Sequence, residues 1–282
     1  MVRHGLAAFV GCGVVAGIGL VLITAVHGQP VAVTTKAVVD PATLPTITRF
    51  LAADTVLVGK VTSIEVEAVE SGGVKYSIAN VKVEGGLVGT KNTTHVKVGF
   101  VPNPRGRDLV LGNQYLLFLT KHTTDGFQVI PPMAVPISAS DEGKFKKAVA
   151  EAERVTAAVK DPLAALKADK ATDRGFAAVV LLTKYRTPPP GVVRQMVNED
   201  VSADESQLLL KGLADADWAT DANGVSGFTA FRGLALSQRD GWTSPGVKPG
   251  ENVVDEYKKA YLAWLDGKGK DYRVKKLVPK SK

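Results

Sequence analysis

The sequence predicts an α+β protein, in which a small antiparallel β-barrel or sandwich precedes an all-α region and an uncharged helix precedes both. Three observations support this. Residues 5–26 contain no charged side chain, apolar and polar residues alternate in short runs between residues 56 and 130, and the apolar spacing becomes helical from residue 140 onward. Alternation at period two is typical of half-buried strands, whereas recurrence after three and four residues is typical of helices.

The uncharged N-terminal segment is long enough to cross a bilayer. It holds 22 residues, and a spanning helix requires about 20. Arg3 precedes the segment and the next Lys or Arg is Lys36, a charge asymmetry that places the N-terminus inside and the remaining chain outside. We therefore expect an exported protein.

Two processing outcomes remain open for residues 1–28. Val26 and Gly28 favour cleavage of a signal peptide, which would give a secreted or periplasmic protein, whereas the length of residues 5–26 favours a retained inner-membrane anchor with the C-terminus outside. Residues 29–45 contain three prolines and predict an extended linker. The single cysteine, Cys12, precedes the linker, so the exported part has neither disulfides nor thiol chemistry.

Five short strands are predicted within residues 46–137, after a short helix over residues 46–53. The strands cover residues 56–69, 76–84, 95–101, 115–120 and 127–130, and Gly, Pro and Asn separate them. Short strands punctuated in this way indicate a small barrel or sandwich.

Helices are predicted throughout residues 138–274. Asp141 and the pair Asp161-Pro162 are start signals, and residues 202–205 form a capping box. The predicted helices cover residues 140–160, 173–185, 228–236 and 253–265, with further helices after Asp161 and after Ser202. Residues 275–282 are expected to form a basic, solvated tail.

Three segments of the β region carry a resemblance to a known family: residues 53–61 (ADTVLVGKV), 81–90 (VKVEGGLVGT) and 111–119 (LGNQYLLFL). They resemble a bacterial, cysteine-free member of the netrin-like or TIMP-like OB-fold group, over about residues 50–130. The resemblance implies a five-stranded OB-like barrel. Animal inhibitors of this fold reach a protease zinc through an N-terminal cysteine, which the exported part lacks, so protease inhibition is not expected.

The basic character of the chain is concentrated at its C-terminus. The formal charge is +7, and residues 258–282 carry nine Lys or Arg against two Asp. Outside the cytoplasm, such charge favours contact with an anionic surface or an envelope protein. Nucleic acid is not expected as a partner, because aromatic residues are sparse on the strands. The chain contains no HExxH or CxxC motif, so no cofactor is expected.

A cluster of oxygen-bearing side chains is a candidate calcium site. It consists of Asp215, Asp217, Asp221 and Asn223, directly before Gly224. Calcium takes six to eight oxygen ligands, but the spacing does not fit an EF-hand and no Glu follows at its twelfth position. An acidic turn after a helix is the favoured interpretation.

A second candidate, for binding, is the loop that contains Arg105, Arg107 and Asp108. Two functions are weighed. The first is a non-enzymatic binding or scaffolding protein of the cell envelope, and the second is a hydrolase or other enzyme whose dispersed site lies between the barrel and the helices. A pocket with buried ionisable groups would favour the enzyme, whereas an exposed apolar or charged patch without such a pocket would favour the binding protein.

Overall fold

The computed structural model describes residues 45–102, 108–122, 126–131, 134–189, 195–219 and 225–280, and all of them belong to one compact unit. The strands are β1 Thr55–Ile64, β2 Val69–Ser71, β3 Val74–Val88, β4 His95–Phe100, β5 Gln114–Lys121, β6 Gln128–Val129, β7 Ile137–Ser138, β8 Met196–Asp200 and β9 Lys275–Pro279. The helices are α1 Thr46–Leu51, α2 Glu142–Lys160, α3 Pro162–Leu166, α4 Ala171–Arg186, α5 Ala203–Asp215, α6 Gly227–Leu234 and α7 Val253–Asp266, with 3₁₀ turns at Gln238–Asp240 and Lys268–Asp271. The predicted α+β class is confirmed for this part of the chain.

The first seven strands form one sheet whose pairings return to their starting point. β1, β3, β4, β6 and β5 pair in that order, and β5 pairs back with β1; β2 adds to β3, and β7 adds to β5. Every pair is antiparallel except β4 with β6, which is parallel. The expectation of a wholly antiparallel sheet is therefore wrong at this pair. The reason is geometric, because a ring with an odd number of strands cannot alternate in direction all the way round.

Alternate residues of β1 and β5 face two different cores. Leu57 and Leu117 lie in a core formed by the sheet and its loops. Val56, Leu116 and Phe118 point the opposite way, into a second core that continues through α2, α4 and α5. The period-two alternation thus places one strand pair in contact with both cores. The second core extends across residue 137, the predicted boundary between the β and helical regions.

Paired glycines act differently at the two ends of β3. Gly72 and Gly73 have φ values of 58° and 76° in the β2–β3 turn, which confirms the break predicted there. Gly85 and Gly86 instead lie inside β3, paired with β1, and the strand register shifts beside them. These glycines mark a bulge, and β3 continues past the end predicted at residue 84.

The helical region is built around α4, in which residues 177–182 are all buried. α5 approaches α4 closely at glycine positions. A Cβ on Gly212 would lie 2.9 Å from Ala178 Cβ and 2.9 Å from the Arg174 carbonyl oxygen. A Cβ on Gly175 would lie 2.7 Å from Ala216 Cα. Glycine therefore allows a distance between these helices that larger side chains would prevent.

An aromatic cluster fills the space between α5, α6 and α7. Its members are Trp218, Phe228, Phe231, Trp242, Tyr257, Tyr261, Trp264 and Tyr272. Neighbouring ring centroids lie between 5.0 and 6.4 Å apart, within the range in which tilted and edge-on rings attract. The Trp218 indole donates to the Leu213 carbonyl at 2.8 Å, so its one polar group is satisfied. All three tryptophans of the chain belong to this cluster.

A two-stranded sheet lies within the region predicted to be all-α. β8 pairs antiparallel with β9. Next to this sheet, Val201 N donates to Val274 O at 2.8 Å and Val274 N donates to Ser206 Oγ at 3.1 Å. The expectations of an all-α region and of a solvated tail are therefore wrong for residues 196–200 and 275–279. The physical reason is that backbone pairing between distant segments satisfies polar groups that a tail would leave to water.

The N-terminal predictions fall outside the described residues. The signal peptide or anchor over residues 1–28 and the linker up to residue 44 therefore stay predictions. Within the part of the chain that the structure describes, no helix is both long and apolar enough to cross a membrane.

Candidate functional site

The predicted arginine loop lies only partly within the described residues. Arg105 and Arg107 fall outside them. Asp108 is half-buried, and its carbonyl oxygen is 3.5 Å from the Tyr115 hydroxyl at the start of β5. The three residues as a binding group therefore stay a prediction.

The candidate calcium site also lies only partly within the described residues. Asp221 and Asn223 lie outside the described residues. Asp215 ends α5 and its carboxylate contacts the Arg174 guanidinium at 2.8 Å, while Asp217 accepts from Ala219 N at 2.9 Å. Both carboxylates thus already have protein partners. Among the described residues, no group of three or more His, Cys, Asp or Glu side chains could hold a metal ion.

A mainly apolar pocket lies where α1, the end of β3, α2, the end of α4 and β9 meet. We call it the Lys184 pocket. Its volume is about 340 Å³, and it is lined by Phe50, Leu51, Ala53, Val88, Val159, Lys184, Tyr185, Thr187, Pro188, Pro189, Lys276 and Leu277. This volume is near the lower end of the range typical of small-molecule sites, about 300–1,000 Å³.

Lys184 is the exceptional group in this pocket. Its side chain is half-buried, and it makes no hydrogen bond or ion pair with any described residue. Burial lowers the pKa of Lys184, and the nearby negative charge of Glu205 opposes that change without reversing it. The ammonium thus lacks the direct partner that a partly desolvated charge requires.

The carboxylate of Glu205, whose charge acts on Lys184, accepts a hydrogen bond from another side chain. The Tyr185 hydroxyl donates a short hydrogen bond to the Glu205 carboxylate. Burial, followed by this bond and the charge of Glu205, raises the pKa of Tyr185, so the phenol stays protonated. Ser202 caps α5 by accepting from Glu205 N, as the predicted capping box requires, but the Glu205 carboxylate bonds to Tyr185. The Glu205 carboxylate keeps its negative charge, which acts on Lys184, but its side-chain hydrogen bond is with Tyr185 and it makes no ion pair with Lys184.

A larger, polar cleft of about 530 Å³ lies beside β9. Its cations are Arg239, Lys268, Arg273 and Lys275, and its carboxylates are Asp200, Asp240 and Asp271. Hydrogen bonds from Ser237 hold the pKa of Asp240 below its usual value, with help from Lys275 and Arg239. Four cations face three carboxylates, so the excess of one positive charge is spread over side chains that are mostly exposed to solvent.

A third cavity, of about 270 Å³, lies beside the first half of α4. Its guanidinium, on Arg154, contacts Asp173 at 3.0 Å and lies 4.0 Å from the centre of the Phe176 ring. That charge is matched within the fold. The Lys184 pocket therefore differs from the other two cavities in combining mainly apolar walls with a half-buried ammonium that makes no hydrogen bond or ion pair with a described residue.

Comparison with known proteins found no match, either to a family model or to a curated protein sequence. The interpretation of the Lys184 pocket therefore depends on its geometry.

Sequence reasoning did not identify Lys184. In the sequence it is a basic residue in the last turn of a helix, where a cation is favourable in any soluble protein. The available signal was its position after the apolar run of residues 176–182 and shortly before Pro188-Pro189-Pro190. That position predicts a helix end beside a rigid segment, but the walls from α1 and β9 come from distant parts of the chain.

Proposed function

We propose that this chain is an exported, non-enzymatic binding protein of the cell envelope and that it holds a small ligand in the Lys184 pocket. The observation that carries the proposal is the half-buried Lys184 ammonium, which no described residue pairs with. An unpaired charge on apolar walls costs folding free energy. Local features that lower the stability of the fold in this way are typical of functional sites.

The groups around the pocket support binding rather than hydrolysis. A hydrolytic site requires a nucleophile or a water beside a general base. The Glu205 carboxylate accepts a hydrogen bond from Tyr185, and the raised pKa of Tyr185 keeps the phenol protonated. What remains is the Lys184 ammonium on mainly apolar walls, since Lys276 pairs with Glu199, and such a group can bind and orient a ligand.

We further propose that the five-strand ring is a closed OB-like barrel of the netrin-like or TIMP-like kind. The pairing of β5 with β1 and the five-strand order support this, because an OB-fold is a five-stranded barrel. In this proposal the barrel acts as a platform: α1 and the end of β3 supply pocket walls through Phe50 and Val88.

Export is tested by fractionating cells that express a C-terminally tagged chain and by reading the N-terminus of the product. A soluble product that begins near Gln29 would identify a signal peptide, and a membrane-bound product that retains residues 5–26 would identify an anchor. A product confined to the cytoplasm would refute export.

Ligand binding is tested with three probes of equal chain length: decanoate, decanol and decyltrimethylammonium. We expect the wild-type chain to bind at least one of them, as measured by calorimetric titration. Val159→Trp, which fills the pocket from α2, should abolish that binding, whereas the matched Leu163→Trp on the exposed side of α3 should not. If the wild-type chain binds none of the probes, the proposed binding function is wrong.

A further inference from the structure

We infer that the ligand of the Lys184 pocket is a small amphiphile with an apolar body and a single carboxylate, and that Lys184 is the counter-ion of this carboxylate. The inference rests on the proposed function, because it names the ligand class of the same site.

The walls of the pocket determine the apolar part of the ligand. They are supplied by α1 (Phe50, Leu51), β3 (Val88), α2 (Val159) and β9 (Leu277). Apolar ligand groups that are removed from water against such walls gain binding free energy in proportion to the area they bury. A ligand without an apolar body would therefore gain little from this pocket. The volume of about 340 Å³ limits that body to a short chain or a small ring system.

The charges around the pocket determine the polar part. The pocket contains two lysines, but Lys276 already pairs with Glu199 of β8 at 2.9 Å. The carboxylate whose charge acts on Lys184 belongs to Glu205 and accepts a hydrogen bond from Tyr185. The negative charge of Glu205 remains, but Glu205 makes no ion pair with Lys184. The Lys184 ammonium therefore has no direct acceptor among the described residues, and one carboxylate on the ligand would supply it. A dianionic headgroup would bring a second charge that these apolar walls cannot match.

The position of Lys184 explains how both parts can bind together. It lies in the last turn of α4, where the apolar face of the helix gives way to the pocket. A lysine stem lies readily along apolar surface while its ammonium reaches a polar group. The carboxylate would contact the ammonium while the body of the ligand lies against α1 and β9.

The experiment compares decanoate, decanol and decyltrimethylammonium on the wild-type chain and on Lys184→Met, Lys184→Arg and Lys146→Met. We expect the wild type to bind decanoate about tenfold or more tightly than decanol, since a charge-assisted contact forms only with the carboxylate. Lys184→Met should remove this difference and leave decanol binding within about twofold of wild type. Lys184→Arg should retain most of the preference, because it keeps the charge.

Lys146→Met is the matched control, because it removes a lysine of α2 that lies outside the pocket lining and pairs with Glu142. It should change decanoate binding by less than about threefold. Equal binding of decanoate and decanol by the wild type, or unchanged decanoate binding in Lys184→Met, would overturn the ligand class while leaving the binding function intact. Binding of decyltrimethylammonium as tight as that of decanoate would do the same. Failure of all three probes would instead refute the binding function itself.

Discussion

The sheet and the helical region fill their interiors with different side chains. The core formed by the sheet contains mainly aliphatic residues, such as Leu57, Val81 and Leu119, whereas the space between α5, α6 and α7 is filled by eight aromatic rings. Paired strands lie at a fixed spacing and leave a narrow interior. Short helices that cross at varied angles leave wider gaps, and large rigid rings fill such gaps efficiently. The contrast is confined to the part of the helical region around α6 and α7, because α2, α4 and α5 contribute mainly aliphatic side chains to the same core.

The largest expected effect comes from the residue that joins the two regions. Phe118 lies on β5 with no exposed surface, faces the helical core, and carries the Arg49 guanidinium 5.1 Å from its ring centre. Phe118→Ala should lower the free energy of unfolding by about 3–5 kcal/mol. Because all tryptophans lie in the helical region, fluorescence reports that region alone, whereas far-ultraviolet circular dichroism reports both.

In denaturant titrations of Phe118→Ala the two signals should move together, as expected for one compact unit. Leu111→Ala, at a side chain that is 61% exposed, is the control and should change the stability by less than about 0.5 kcal/mol. Two separate transitions would contradict a shared core.

A smaller effect is expected at the contact between α4 and α5, which belongs to the helical region alone. Gly212→Ala introduces a Cβ 2.9 Å from a backbone oxygen that cannot move independently. The resulting overpacking should cost about 1–3 kcal/mol, more than the gain in helix propensity. Gly143→Ala in α2, where nothing lies within 4 Å of the new Cβ, should instead stabilise the chain by up to about 1 kcal/mol. Thermal unfolding of Gly212→Ala and Gly143→Ala measures the difference in stability between the two variants. Equal shifts in their melting temperatures would show that α4 and α5 can move apart at no cost.

The smallest expected effect is at Lys184, where the two regions meet around the pocket. Lys184→Met should stabilise the unliganded chain by up to about 1 kcal/mol at neutral pH, because it removes an unpaired, half-buried charge. The pKa of Lys184 is lowered by burial, so the unfolded state holds this proton more tightly than the folded state.

The pH dependence of this effect follows from linkage. Wild-type stability should rise with pH between the folded-state pKa and the ordinary value of about 10.4. The advantage of Lys184→Met should therefore shrink over that window. Glu205, Tyr185 and Lys276 are common to both chains, so their titration largely cancels in the difference. Two results would contradict the conclusion that Lys184 carries an unpaired, half-buried charge. One is a stability difference between Lys184→Met and wild type that does not change with pH, and the other is a Lys184→Met variant that is less stable than wild type at neutral pH.

Local patterns predicted the elements well where neighbouring residues determine the structure. The alternating runs gave β1, β3, β4 and β5, and the apolar run at residues 176–182 gave the buried helix α4. The cap signals at Asp141, Asp161 and Ser202 are each confirmed by a side-chain acceptor at the helix start. Caps and periodicity are local features, and the sequence displays them directly.

Pairing between distant segments was not predictable from the same patterns. β8 reads Met-Val-Asn-Glu-Asp and β9 reads Lys-Lys-Leu-Val-Pro, and neither alternates clearly between apolar and polar residues. Their pairing is favoured by charges that meet only across the sheet, such as Glu199 with Lys276. The Lys184 pocket was missed for the same reason, since four of its walls come from elements far apart in the chain.

The long separation between β8 and β9 has a kinetic consequence. About 75 residues lie between the segments that pair; closing such a loop costs little extra free energy, but non-local pairings form slowly. The aromatic rings all fall within residues 218–272 and can assemble through contacts of shorter range. During refolding we therefore expect tryptophan fluorescence to recover first. The capacity to bind a ligand should return later, when Lys276 and Leu277 close the outer wall of the pocket.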